Sequence, residues 1–147
     1  MEKGLTYQRV DDGYLVRLPK GAAVTTSLIE FLSEEHVYTG TLRAIGALQE
    51  VELGYFDLAN KTYLRKSFPG IYELVSFSGN ISLVDAKPFI HAHAILSDAN
   101  FSPIAGHFFD ATVAVTMEVH VSPVSQTISR EIDPETELKL LKLANLL

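Results

Sequence analysis

A chain of 147 residues, 47% hydrophobic and 20% charged, is long enough to bury one domain core and too apolar for disorder. Its net charge of −6 and the absence of any basic cluster larger than Arg65-Lys66, with Lys61 nearby, argue against a stand-alone nucleic-acid binder, because phosphate contacts supply most non-specific affinity. Cysteine is absent, which excludes disulfides and thiolate ligands and leaves imidazole and carboxylate for any transition metal.

Leu5 to Val10, the turn Asp11-Asp12-Gly13 and Tyr14 to Leu18 read as an opening β-hairpin closed by Pro19-Lys20-Gly21. Val24 to Glu35 carries apolar residues at Val24, Leu28, Ile29, Phe31 and Leu32, the spacing of an amphipathic helix. From Thr41 the pattern is strand after strand: Leu42–Leu48, Val51–Asp57, a turn at Asn60-Lys61, Thr62–Phe68, and Ile71–Val84. Gly79 inside the last of these predicts a bulge or a close backbone approach. Phe89–Leu96, Ile104–Phe109, Val113–Val121 and Thr127–Ile132 complete the series. Pro134 then opens an expected helical tail, with Leu140, Leu143, Ala144 and Leu147 as its apolar stripe. The whole predicts one α+β domain, a twisted, mostly antiparallel sheet flanked by helix, with a core over about 5–133 and the tail over 134–147. The N-terminus shows no secretory pattern and no apolar run is long enough to span a bilayer, so a cytoplasmic protein without a membrane partner is expected.

The chemistry lies in three histidines. His91 and His93 stand two apart on an expected strand and therefore share a face. A turn-like stretch, Ser97 to Pro103, leads to the strand that carries His107. If these strands pair, three imidazoles converge as the ligand set of an open metal site, zinc or another divalent transition metal, with one position left for water or a ligand. The other reading of each histidine is a satisfied polar residue on a half-buried strand. Gly106 before His107 serves either close packing or a bulge. His36 is expected at the helix end, near the last carbonyls, and His120 on a solvated strand face or as a group behind the metal ligands.

Among carboxylates, Glu50, Glu52, Glu73, Asp98 and Glu118 are candidates for a general acid or base. Glu50 and Glu52 read as sharing a strand face. Glu73 stands in a largely apolar strand, where a carboxylate needs a partner or solvent, and is the candidate catalytic residue. Asp98 reads as turn chemistry. No nucleophile elbow, phosphate loop or dinucleotide fingerprint is present.

The succession G-x-x-E-L-x-S-x-S-G-N at Gly70–Asn80, P-x-x-H-x-H-A-x-L-S-D at Pro88–Asp98 and G-H at Gly106-His107 resembles the plants-and-prokaryotes-conserved (PPC) domain. Ala44–Leu48 and Glu52–Asp57 also look like that family's early strands. The resemblance implies a compact α+β fold, a homotrimer, and a metal on His91, His93 and His107, as in metal-bound prokaryotic members. It also implies a fold related to acetolactate decarboxylase, whose zinc sits on three histidines. Prokaryotic members are often labelled predicted DNA-binding proteins. In plants the DNA-contacting arginines belong to AT-hook motifs beside the domain, and this chain has no Arg-Gly-Arg-Pro core. Where the plant partner-binding segment carries arginine and phenylalanine, this chain has Ile71 and Tyr72.

Three functions are therefore expected in order: a trimeric metal-binding module with a regulatory or interaction role, a zinc-dependent lyase or hydrolase acting on a small oxo-acid, and DNA binding across an oligomer. Arg43, Arg65 and Arg130 are each able to supply a cation to such a site, and the spacing does not choose among them.

Overall fold

A computed structural model describes residues 4–144 of the chain. Its first element is the expected hairpin: β1 (Thr6–Val10) and β2 (Gly13–Pro19) pair in antiparallel register from Thr6 opposite Arg17 to Val10 opposite Gly13. Helix α1 (Val24–Glu34) follows and buries Val24, Leu28, Phe31 and Leu32, the stripe that its periodicity set out. The helix ends where His36 takes a left-handed backbone conformation, φ 57°. The His36 ring turns to the Tyr38 hydroxyl at 3.2 Å rather than to the helix carbonyls.

The strands that follow are longer than their sequence suggests. β3 (Gly40–Asp57), β4 (Thr62–Val84), β5 (Lys87–Ser97) and β6 (Pro103–Pro123) each run continuously. The breaks expected near residues 49–50, 69–70 and 110–112 are bends within strands. Glu50 (φ 51°) sits in a register shift of β3, and Gly70 (φ 94°) bends β4. β3 pairs with both β4 and β6, β4 with β5, and β5 with β6, all antiparallel, so the four long strands close on themselves. Bulges let strands of this length bend around a core instead of extending as a flat ribbon.

Strand β5 shows how the fold separates core from site. Ala92, Ala94 and Leu96 are buried while His91, His93 and Ile95 lie on the opposite face. The small alanines let α1 pack closely on β5 and β6, over a core that includes Phe77, Leu48, Met117 and Val119. Gly79 makes a close approach rather than a bulge; the irregularity in β4 falls between Leu74 and Ser76. A Cβ at Gly79 would stand 2.3 Å from the His91 carbonyl oxygen. Gly79→Ala is therefore expected to push β5 off β4 and to cost about 1–3 kcal/mol, the usual range for overpacking. Urea denaturation checks this; an unchanged midpoint would contradict the close approach.

The C-terminal segment corrects the expected helical tail. β7 (Ser129–Ile132) and β8 (Lys139–Lys142) form an antiparallel hairpin, with Arg130 opposite Leu141. A turn takes the place of the helix start: the Asp133 carboxylate accepts bonds from the Thr136 amide and hydroxyl, both at 2.8 Å. Glu137 then adopts φ 63°, which no α-helix admits. An isolated helix of a dozen residues is marginal in water, and strand pairing wins here. Leu147 of the expected stripe lies outside the described residues. β7 joins the sheet through a single parallel pair, Leu83 with Ser129. No helix among the described residues is long and apolar enough to cross a membrane.

Candidate metal centre

The pairing of β5 with β6 sets His93 directly opposite His107, and His91 follows two residues away on the same face of β5. The three rings gather with centroids 5.2, 5.3 and 5.7 Å apart. One ring nitrogen from each lies within 4.8 Å of the others. Ligands around tetrahedral zinc, with Zn–N of about 2.0–2.1 Å, stand about 3.3–3.4 Å apart, so small ring rotations complete the set. Among the described residues no carboxylate belongs to this group, so a metal held here would have three protein nitrogens.

Two of the three imidazoles are pushed toward the neutral form. Burial, then His91 and His93, then Arg65 push His107 down to about 4. Burial, then Arg130, then His93 hold His91 below its ordinary range. His107 is accordingly neutral at neutral pH, the state a metal ligand requires. The Tyr63 hydroxyl lies 3.5 Å from His107 Nδ1.

Two polar groups flank the histidines. On the β6 side, Arg65 donates to both oxygens of Glu52 at 2.8 and 2.7 Å, and its guanidinium lies 3.8 Å from the centre of the Phe109 ring. The same arginine holds the Glu52 carboxyl below its ordinary range. Phe109 and Tyr63 pack against the His107 ring at centroid distances of 4.8 and 4.7 Å. On the β5 side, Arg130 reaches from β7 to donate to Asn80 Oδ1 at 2.6 Å and to Ser82 Oγ at 2.7 Å.

Gly106 packs rather than bulges: a Cβ there would stand 2.9 Å from the Gly54 carbonyl oxygen. That glycine lets β6 approach β3 beside His107.

The other sequence candidates lie elsewhere. Glu73 is exposed and opposite Ser97, four residues along β5 from His93, which is roughly 13 Å at the usual strand rise. Glu50 stands at the register shift of β3 with φ 51°, and Glu52 is engaged by Arg65. Asp98 is turn chemistry as expected, accepting from the Asn100 and Ser102 amides at 2.8 and 2.9 Å. Glu118 is exposed on β6, opposite Arg17. His120 is half-buried and pairs with the exposed Asp12 at 3.0 Å, in register with Arg43 and Leu15. Sequence reasoning missed Tyr63, Phe109, Asn80 and Ser82. Phe109 was within reach, since it stands two residues after His107.

Several solved structures share the fold over nearly the whole chain. A metal-containing protein of Archaeoglobus fulgidus is 31% identical, with a TM-score of 0.83, and the match covers 96% of this chain and 99% of that one. A plant- and prokaryote-conserved protein of Pyrococcus horikoshii is 29% identical at a TM-score of 0.83, covering 99% of each chain. A Bacteroides thetaiotaomicron protein, provisionally described as DNA-binding, is 27% identical at a TM-score of 0.90, covering 94% of this chain and 96% of its own. No curated protein sequence matches the chain. The sequence profile of the Plants and Prokaryotes Conserved (PCC) domain matches residues 5–125, the span that includes all three histidines, and the chain belongs to that family.

Proposed function

We propose that the protein is a self-associating, metal-centred module that binds a small ligand, with one divalent transition metal held by His91, His93 and His107. The convergence of three imidazoles without a fourth protein ligand among the described residues carries this reading. Imidazole suits zinc, and a three-histidine set with an open position suits a bound water or ligand better than a closed structural site. The metal, when bound, supplies a Lewis-acidic position; the protein supplies imidazole ligands and an aromatic wall of Tyr63 and Phe109. The metal-containing description of the Archaeoglobus relative supports the same reading.

Self-association is supported by the outer sheet face. Leu15, Ile45, Val75 and Ile95 are exposed there, and the first three line an open groove of about 830 Å³. Apolar side chains grouped in this way mark interaction surfaces. A regulatory role would follow from ligand-dependent change at such an interface. A homotrimer is the expected state: light scattering should return the mass of three 16.2-kDa chains, and a monomer would contradict it.

A second reading, a zinc-dependent lyase or hydrolase of a small oxo-acid, draws on the same open position. It lacks an evident base, since Glu52 is locked to Arg65 and Glu73 is remote. Turnover of small oxo-acids by the metal-loaded protein would establish it. DNA binding, suggested by the descriptions of some relatives, would show as steeply salt-dependent affinity; the net charge of −6 predicts none at physiological salt.

A further inference from the structure

The structure distinguishes three arginines that the sequence left equivalent. Arg65 is neutralised by a two-pronged bond to Glu52. Arg43 lies two strands from His93 through Ser78, roughly 10 Å at the usual strand spacing. Arg130 differs from both. It is half-buried beside the site, and among the described residues no carboxylate pairs with it.

Its position is fixed by neutral acceptors alone. Nε donates to Ser82, whose side chain belongs to a fully buried residue, at 2.7 Å; Nη1 donates to the Lys139 carbonyl at 2.9 Å; Nη2 donates to Asn80 at 2.6 Å. The Phe89 ring lies 5.2 Å from the guanidinium carbon. Asn80 is the direct cross-strand partner of His91, so the guanidinium sits beside a metal ligand. Of the five guanidinium N–H groups, one on each terminal nitrogen is uncommitted. Two free donors on a half-buried cation can meet the two oxygens of a carboxylate.

We propose that Arg130 anchors the carboxylate of a small acid whose second donor, a carbonyl or hydroxyl oxygen, occupies the open metal position. The assignment presupposes the metal at His91, His93 and His107. It makes Arg130 the residue that selects anionic over neutral ligands. A wholly structural arginine, serving only to tie the β7–β8 hairpin to β4, would show no such selection.

The test compares pyruvate with pyruvamide, which keeps the carbonyl and loses the charge. Cobalt-loaded wild-type protein, Arg130→Gln and Arg130→Lys are assayed for metal content, and each ligand is titrated against the cobalt absorption bands. Wild type is expected to bind pyruvate roughly 10- to 100-fold more tightly than pyruvamide, the range for hydrogen bonds to charged groups. Arg130→Gln should keep one cobalt per chain and lose most of that preference; Arg130→Lys should keep part of it, as a point charge without the fork. Equal preference in wild type and Arg130→Gln, with cobalt retained in both, overturns the anchor alone. If Arg130→Gln does not fold, wild type decides: equal affinity for the two ligands overturns the anchor. Wild-type protein that takes up no cobalt overturns the metal centre and the anchor with it.

Discussion

Replacing His107 by alanine is expected to lower metal affinity by more than about 100-fold, beyond the 10- to 100-fold typical of groups that only support a ligand. The side chain lies on the outer face of β6, opposite the core residue Phe108, so its removal leaves the packing beneath α1 intact. Metal-free stability should therefore change little, in contrast to a core truncation. Ligand linkage makes the difference measurable. At a metal concentration 100 times its own dissociation constant the wild type gains about 2.7 kcal/mol, whereas a variant weakened 100-fold gains only about 0.4. Thermal melts with and without metal check this; equal upward shifts in the two proteins would remove His107 from the site.

Phe77→Ala is expected to be the most damaging core substitution, at about 3–5 kcal/mol, the usual cost of deleting a buried phenyl ring. Phe77 is 1% exposed and meets the Phe108 ring edge-on at 5.0 Å. Its partners on either side are Ala44 on β3 and Ala94 on β5, too small to collapse into the space left behind. At fixed protein concentration the midpoint of thermal unfolding should fall by roughly 6 to 20 °C, given about 2–4 °C per kcal/mol for a chain near this length. A fall of only one or two degrees would mean that the ring is not the centre of the core.

The histidine site was legible because it depends on local alternation plus one pairing. His91 and His93 had to share a face, and the Ser97–Pro103 turn made β5 and β6 neighbours. Helix α1 was legible for the same kind of reason, an apolar stripe at its own period. What escaped was set by register over long distances. Tyr63 reaches His107 because β3 lies between their strands, pairing Phe56 with Tyr63 and Gly54 with His107. Arg130 reaches Asn80 from 50 positions away, and no local pattern encodes that contact. The tail misled for a different reason: the Leu140–Leu143 spacing satisfies a helix, but the Asp133–Thr136 turn and the left-handed Glu137 commit the chain to a hairpin first. For Glu73 the sequence leaves a partner or solvent open, and its strand presents it to solvent, away from the histidines.

The central claim, one metal on three imidazoles with a position left open, is tested most directly by X-ray absorption at the metal edge of untagged, zinc-loaded protein. The account predicts three imidazole nitrogens and one further light atom at about 2.0–2.1 Å, with one zinc per chain. A zinc content near zero, or a first shell with fewer than three imidazoles, would contradict it.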